Sequence, residues 1–264
     1  MITNENYYQP NNKGLSQSKI KSYLQCPNYF YRRHILGEVE IKSDAFTIGG
    51  AVDDLLTDID NIDKNKYVVV SRRNLKSPPT DYIEMNQKQY DEILSIASAV
   101  ENTSAYKFIK EKFIFQEIVQ VPADLGKYFS CYLGKPDAYY IDDKNHLWLV
   151  DLKTAATVDN KRYFYNAQSY YYFQQLWFYA FLLKLKYPHI KTLSYWHLAV
   201  EKKEPFNVKL FRIPNLYVEN CESHMLSTIQ TIAADTEFKK ADASFTNPTP
   251  LINPKDDSEY EWEE

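Results

Sequence analysis

Hydrophobic positions along this chain change period several times, and the changes set an order of elements. Ser16 or Ser18 can cap a helix running through Cys26, in which Ile20, Tyr23 and Leu24 recur at helical spacing. Pro27 suits the first turn of a second helix, with Tyr29, Phe30, Tyr31, Ile35 and Leu36 as its apolar surface. A third helix is predicted over about residues 45–58, where Gly49-Gly50 weakens it unless close backbone packing compensates. Tyr67 to Val70 reads as a short strand, Ser77-Pro78-Pro79 as a break, and residues 82–112 as one or two helices. Phe113, Phe115, Glu117, Val119 and Val121 then alternate with Ile114, Gln116, Ile118 and Gln120, a strand with apolar groups on both faces that opens a sheet. Two more strands, roughly Tyr132 to Ile141 and Leu147 to Lys153, flank Asp142-Asp143-Lys144-Asn145, whose turn chemistry folds them into a hairpin. A long helix over about 162–186, strands near 191–201 and 206–213, and a helix over about 215–240 complete an α/β (α+β) order.

With 264 residues, 44% hydrophobic and 25% charged, the chain can bury a core as one domain with a helical elaboration. The expected division is a flexible stretch over 1–14 and one domain over 15–247. That domain comprises a helical part (15–112), a core (113–213) and the last helix. Residues 248–264, with three prolines and then Asp256-Asp257-Ser258-Glu259-Tyr260-Glu261-Trp262-Glu263-Glu264, are expected to be disordered. This acidic-aromatic tail either serves solubility or docks on a basic protein partner. The first residues lack the basic and apolar regions of a signal peptide, and no apolar run approaches the roughly 20 residues that span a bilayer. A cytoplasmic location is therefore expected, with no membrane partner, and nothing in the sequence reports an oligomeric state.

A net charge of −4 argues against a protein that coats nucleic acid by bulk charge. Binding would need a local basic path, for which Lys13, Lys19, Lys21, Arg32 and Arg33 near the amino end and Lys161 and Arg162 later are the candidates. Cys26, Cys131 and Cys221 lie far apart without C-x-x-C spacing, so neither a disulfide framework nor a zinc site is indicated, and an iron–sulfur cluster is not expected.

The chemistry concentrates in Gly134-Lys135-Pro136-Asp137 and Val150-Asp151-Leu152-Lys153-Thr154. Asp151 and Lys153 are two residues apart in a strand and leave the same face, and the hairpin sets Asp137 near Asp151. An Asp-x-Lys triplet alone is common. Here it follows the apolar run Leu147-Trp148-Leu149-Val150, and a carboxylate entering such a sheet centre needs a partner. A divalent cation, Mg²⁺ or Mn²⁺, suits Asp137, Asp151 and the Leu152 carbonyl, all hard oxygen donors. Beside a phosphodiester the ion would neutralise developing charge while Lys153 positions the attacking water. In the long helix, Gln168, Tyr172, Gln175 and Tyr179 fall at spacings of four, three and four, so they line one face that can bond phosphate or stack a base.

With these residues assembled, the sequence resembles the RecB-like branch of the PD-(D/E)xK nuclease superfamily, which includes phage exonucleases. The resemblance is carried first by Leu15-Ser16-x-Ser18 with Tyr23, Cys26-Pro27 and Phe30. It continues in Gly49 to Leu56, in Pro136-Asp137 with Asp151-Leu152-Lys153-Thr154, and in Gln175-Leu176-Trp177-Phe178-Tyr179. It implies a central mixed sheet flanked by helices, Asp137 and Asp151 as metal carboxylates, and Lys153 as the catalytic lysine. Gln175 and Tyr179 would border the nucleic acid, with Ser16, Ser18, Arg32, Arg33, Gln168 and Tyr172 as further contacts. Asp53 stands where many relatives place a histidine ligand, and still offers a carboxylate to the metal. Glu117 is an additional ligand candidate, through water. The expectation is a Mg²⁺- or Mn²⁺-dependent deoxyribonuclease, an exonuclease of phage replication, recombination or repair acting in a bacterial or phage-infected cell. The alternatives are a structure-selective or single-strand endonuclease on the same site, and a non-catalytic nucleic-acid-binding protein that kept the fold.

Overall fold

Strands and helices mix as the sequence predicts, but several elements break where the site needs them to. The computed structural model describes Ile2, Tyr7 and residues 12–38, 44–57, 67–69 and 83–235. The acidic tail, most of the first stretch and the Ser77-Pro78-Pro79 break lie outside the described residues.

The chain begins with β1 (Gly14–Leu15), α1 (Gln17–Gln25), α2 (Pro27–Phe30), a π-helical turn (Tyr31–Ile35) and α3 (Asp44–Thr57). Strands β2 (Tyr67–Val69) and β3 (Ile83–Met85) pair in parallel. Helix α4 (Gln87–Glu101) follows, started by a reciprocal capping box between Asn86 and Gln89, and Thr103 caps α5 (Ser104–Lys112). Then come β4 (Ile114–Phe115), β5 (Val119–Leu125), β6 (Phe129–Gly134), β7 (Ala138–Ile141) and β8 (His146–Ala155). The remaining elements are α6 (Asn160–Ser169), α7 (Tyr172–Lys186), β9 (Thr192–Glu201), β10 (Val208–Ile213), α8 (Asn215–Glu219) and α9 (Glu222–Ala234). Among the described residues, no helix is long and apolar enough to cross a membrane.

The main sheet runs β10-β9-β8-β7-β4, with β8 and β9 parallel and the other pairs antiparallel. Strand β8 is its centre and separates two hydrophobic cores. Leu147 and Leu149 belong to the core built around α7, with Leu176, Phe178 and Leu182. Val150 belongs to the other, with Ala51, Val52 and Leu56 of α3 and Leu198 and Val200 of β9. Asp151 and Lys153 share the parity of Leu147 and Leu149, so they leave toward α7. Asp142 makes the predicted hairpin by accepting from the Lys144 and His146 amides at 2.9 Å each, while Asn145 takes φ 62°.

Four predicted elements divide. The strand expected over 132–141 is two, in different sheets, because Pro136 has no N–H for a ladder and the chain leaves β6 there to enter β7. The strand expected over 113–121 breaks at Gln116, whose φ of 50° takes the chain out of the main sheet into the three-stranded sheet β1-β6-β5. The long helix breaks at Tyr171, at φ 64°, into α6 and α7. The last helix divides into α8 and α9, and its predicted end beyond residue 235 lies outside the described residues.

One of the two adjacent glycines in α3 has the packing reason that the sequence demanded. A Cβ on Gly49 would stand 3.2 Å from Thr154 Oγ1, which lets α3 lie close over the end of β8. Gly50 faces open space.

Candidate functional site

The breaks at Gln116, Pro136 and Tyr171 converge on one place. Asp137 sits in the link between β6 and β7, one residue before Ala138 pairs with Val150 of β8. Its Oδ2 accepts from the Leu152 N–H at 2.8 Å, which locks it beside Asp151 and Lys153. Leu152, expected to contribute its carbonyl, also brings its amide to the site. Asp53 comes from α3 on the opposite face. The Gln116 side chain bridges the two carboxylates, its Nε2 donating to Asp53 Oδ2 at 3.1 Å and to Asp137 Oδ1 at 3.4 Å. The Gln116 backbone N–H also donates to the Asp137 carbonyl at 3.1 Å.

Asp151 is fully buried, and its Oδ2 is in ionic contact with the Lys153 ammonium. Neither Asp151 oxygen has an aligned hydrogen bond, and Asp53 Oδ1 is likewise buried without one. The Lys153 ammonium lies 4.7 Å from the Tyr172 ring centre and donates to Gln175 Oε1 at 3.2 Å. Gln175 Nε2 in turn donates to the buried Tyr179 hydroxyl at 3.3 Å. A cavity of about 20 Å³, room for one water, lies between Asp53, Lys153 and Leu198.

Three carboxylates in so little water repel one another. Burial pushes the Asp53 carboxyl up to about 7, against the pull of Lys153, and the neighbouring Asp54 and Asp151 add to the rise. Asp137 is raised well above the usual carboxylate range by burial and by Asp53 and Asp151, with Lys153 and the Leu152 amide opposing. Burial alone would lower Lys153, but the Asp151 and Asp137 charges outweigh it and hold its pKa above the ordinary lysine value.

These groups suit a hard divalent cation in kind: carboxylate oxygens, of which Asp53 Oδ1 and Asp151 Oδ1 are buried without a hydrogen bond or ion pair among the described residues, in a site where three carboxylates face one ammonium. Among the described residues no three acidic, histidine or cysteine side chains are already closed around a common point. The Gln116 amide and the Lys153 ammonium occupy the space between the carboxylates instead, so an ion would have to displace the Gln116 bridge.

Sequence reasoning missed Gln116, which it reads only as one position of an alternating strand, and His197. His197 stands opposite Asp151 in the β8–β9 register, fully buried, with Nε2 4.0 Å from Asp151 Oδ2 and both ring nitrogens without a hydrogen bond. Burial lowers its pKa to about 4, with Asp151 pulling it up and Lys153 pushing it down, so the ring is neutral. Nothing in its sequence neighbourhood signals this, because the parallel pairing with β8 places it.

The other candidate residues disperse. Glu117 pairs with Lys186 at 2.7 Å and accepts from the Tyr139 hydroxyl. Gln168 is exposed on α6, and the break at Tyr171 removes it from the face that carries Tyr172, Gln175 and Tyr179. Arg32 pairs with Glu38 at 3.2 Å, and Arg33 donates to the Tyr29 hydroxyl at 2.9 Å. Ser16 is buried and its Oγ lies 3.0 Å from that of Ser18, without capping α1. Lys19 is buried and bonded to Asn12 and to the Gly14 carbonyl, which takes it off the basic path.

No curated protein matches the chain. The crystal structure of a protein named "Putative exonuclease", from Eubacterium rectale, is similar with a TM-score of 0.65 and 14% sequence identity, covering 88% of this chain and 86% of that one. At that identity the likeness is one of fold. The family described as "PDDEXK-like domain of unknown function (DUF3799)" matches residues 16–241, which include Asp53, Asp137, Asp151, Lys153 and Gln175. The chain belongs to this PDDEXK-like family.

Proposed function

We propose that this protein is a Mg²⁺- or Mn²⁺-dependent deoxyribonuclease of the RecB-like kind, acting as an exonuclease on DNA ends. The observation that carries the reading is the convergence of Asp53 of α3 with Asp137 and Asp151 of the β7–β8 hairpin. They meet beside a lysine held by Gln175 and Tyr172, with Asp53 Oδ1 and Asp151 Oδ1 buried and without a partner among the described residues. The family membership and the exonuclease name of the structural neighbour agree with it.

Asp53, Asp137 and Asp151 would hold the ion. When bound, the ion neutralises charge on the phosphoryl group and makes a coordinated water more acidic. The chain's own residues do the positioning. The Leu152 amide fixes the rotamer of Asp137, and Gln175 and the Tyr172 face fix the Lys153 ammonium where it can donate to a phosphoryl oxygen or orient the attacking water. No covalent enzyme intermediate is required.

The test is digestion of end-labelled linear DNA and closed circular DNA with Mg²⁺ or Mn²⁺, with EDTA and Asp151→Asn controls. The expected outcome is release of short products from linear DNA only, abolished by EDTA and reduced at least about a hundredfold in Asp151→Asn. Cutting of circular DNA would replace the exonuclease by an endonuclease on the same site. Binding without cleavage under all conditions would make the protein a nucleic-acid binder with a nuclease fold.

A further inference from the structure

The break between α6 and α7 builds an aromatic and basic surface against the site. Tyr171 holds a left-handed conformation at φ 64°, which for a tyrosine costs of order 1 kcal/mol and persists only where its surroundings impose it. Its amide donates to the Gln168 carbonyl at 3.2 Å, and the Lys21 ammonium of α1 donates to the Tyr170 carbonyl at 3.0 Å. Lys21 also lies 5.8 Å from the Tyr171 ring centre. The result is that Tyr170, 53% exposed, packs its ring 5.7 Å from that of Tyr172, which also meets the Lys153 ammonium and the His197 ring.

A large exposed ring, an ammonium with donors to spare beside it, and direct continuity with the reacting centre are what a flexible single strand needs. Every base has a π-face, so a stacking platform tolerates any sequence, as an enzyme that digests from ends must. A paired base inside a duplex has both faces covered by its neighbours. We propose that Tyr170 stacks an unpaired base of a single-stranded DNA end, with Lys21 contacting the adjacent phosphate, so that the site engages frayed or single-stranded ends in preference to blunt duplex. This deepens the nuclease reading and rests on it.

The experiment measures binding apart from chemistry. Fluorescence anisotropy in EDTA compares a short labelled single strand with the matching blunt duplex, for the wild-type protein, Tyr170→Ala, Tyr170→Trp and Lys21→Ala. Tyr170→Ala should weaken single-strand binding about five- to 150-fold, as loss of one stacked base does, while Tyr170→Trp retains it and duplex binding changes less than about twofold. Lys21→Ala should lower the salt slope of single-strand affinity by roughly 0.7. Because Tyr170 is exposed, thermal unfolding of its variants should match the wild type. Unchanged single-strand binding in Tyr170→Ala, or equal loss on both substrates, overturns the proposal, and an unchanged slope overturns the part given to Lys21. Wild-type protein that binds the single strand through Tyr170 but cleaves nothing in Mg²⁺ would defeat the nuclease reading and leave the platform standing.

Discussion

Gln116 is the residue that ties the carboxylates of the site together. Its amide donates to Asp53 and Asp137 at once, standing in for part of the positive charge that the three carboxylates lack. Removing it leaves Asp53 Oδ2 and Asp137 Oδ1, both half-buried, without that donor. Gln116→Ala should therefore lower the Mg²⁺ concentration needed for half-maximal activity several-fold, because the ion no longer has to displace the amide from Asp53 and Asp137, while activity at saturating Mg²⁺ stays within about threefold of wild type. Metal titration of the cleavage rate checks this, and a loss that saturating metal does not repair would place Gln116 in the chemistry itself. At this scale Asp137, Asp151 and Lys153 are legible in the sequence because they lie within one hairpin, where strand parity and turn chemistry decide their directions. Gln175 and Tyr179 are legible because helical spacing puts them on one face. Gln116 and His197 are not. Each reaches the site through a pairing or a backbone break that no local pattern encodes.

Among the elements, the departures from regularity position the site. Strand β6 must end at Gly134 so that the chain can turn through Lys135-Pro136-Asp137 into the main sheet. Gly134 also permits the close approach of α7: a Cβ there would stand 2.4 Å from Leu182 Cδ1 and 3.3 Å from Tyr179 Cδ1. Gly134→Ala is expected to cost about 1–3 kcal/mol of stability by overpacking, and to lower activity by displacing α7, the helix that holds Lys153 through Gln175. Denaturant unfolding together with the cleavage rate checks both. Unchanged stability would mean that Leu182 simply rotates away. The sequence announces the Pro136 break, since proline cannot continue a central strand. It does not announce the breaks at Gln116 and Tyr171, because both residues favour regular structure and are held at positive φ by tertiary contacts. Strand alternation and helical spacing therefore read through them, and helical spacing puts Gln168 on a face that it does not share.

Over the whole molecule, the site stores a charge conflict that a bound cation would relieve. In the metal-free protein the Asp53 pKa stands at about 7, against 3.8 for an ordinary aspartate. Between those values the folded state holds a proton that the unfolded chain has released, so stability falls as pH rises through this window and the full cost is present above pH 7. A cation that binds only the folded state offsets that cost. Mg²⁺ or Mn²⁺ should therefore raise the unfolding temperature more at pH 8 than at pH 6. In Asp53→Asn the metal-free protein should lose this part of its pH dependence and the metal-induced rise should shrink. Differential scanning calorimetry at the two pH values measures it, and equal shifts at both would detach Asp53 from the metal. The fold class and the order of elements are legible at this scale, because long periodic segments such as residues 87–101 and 192–201 dominate the pattern. The division of the strands between two sheets is not, since it depends on which edges pair.

The most direct measurement is an anomalous difference map from crystals soaked in Mn²⁺ and recorded above the manganese edge. A peak is expected within coordination distance of Asp137 and Asp151, on the side facing Asp53, with the Gln116 amide withdrawn from between the carboxylates. A map with no peak there, or with Gln116 still bridging Asp53 and Asp137 at saturating Mn²⁺, would contradict a metal-dependent site.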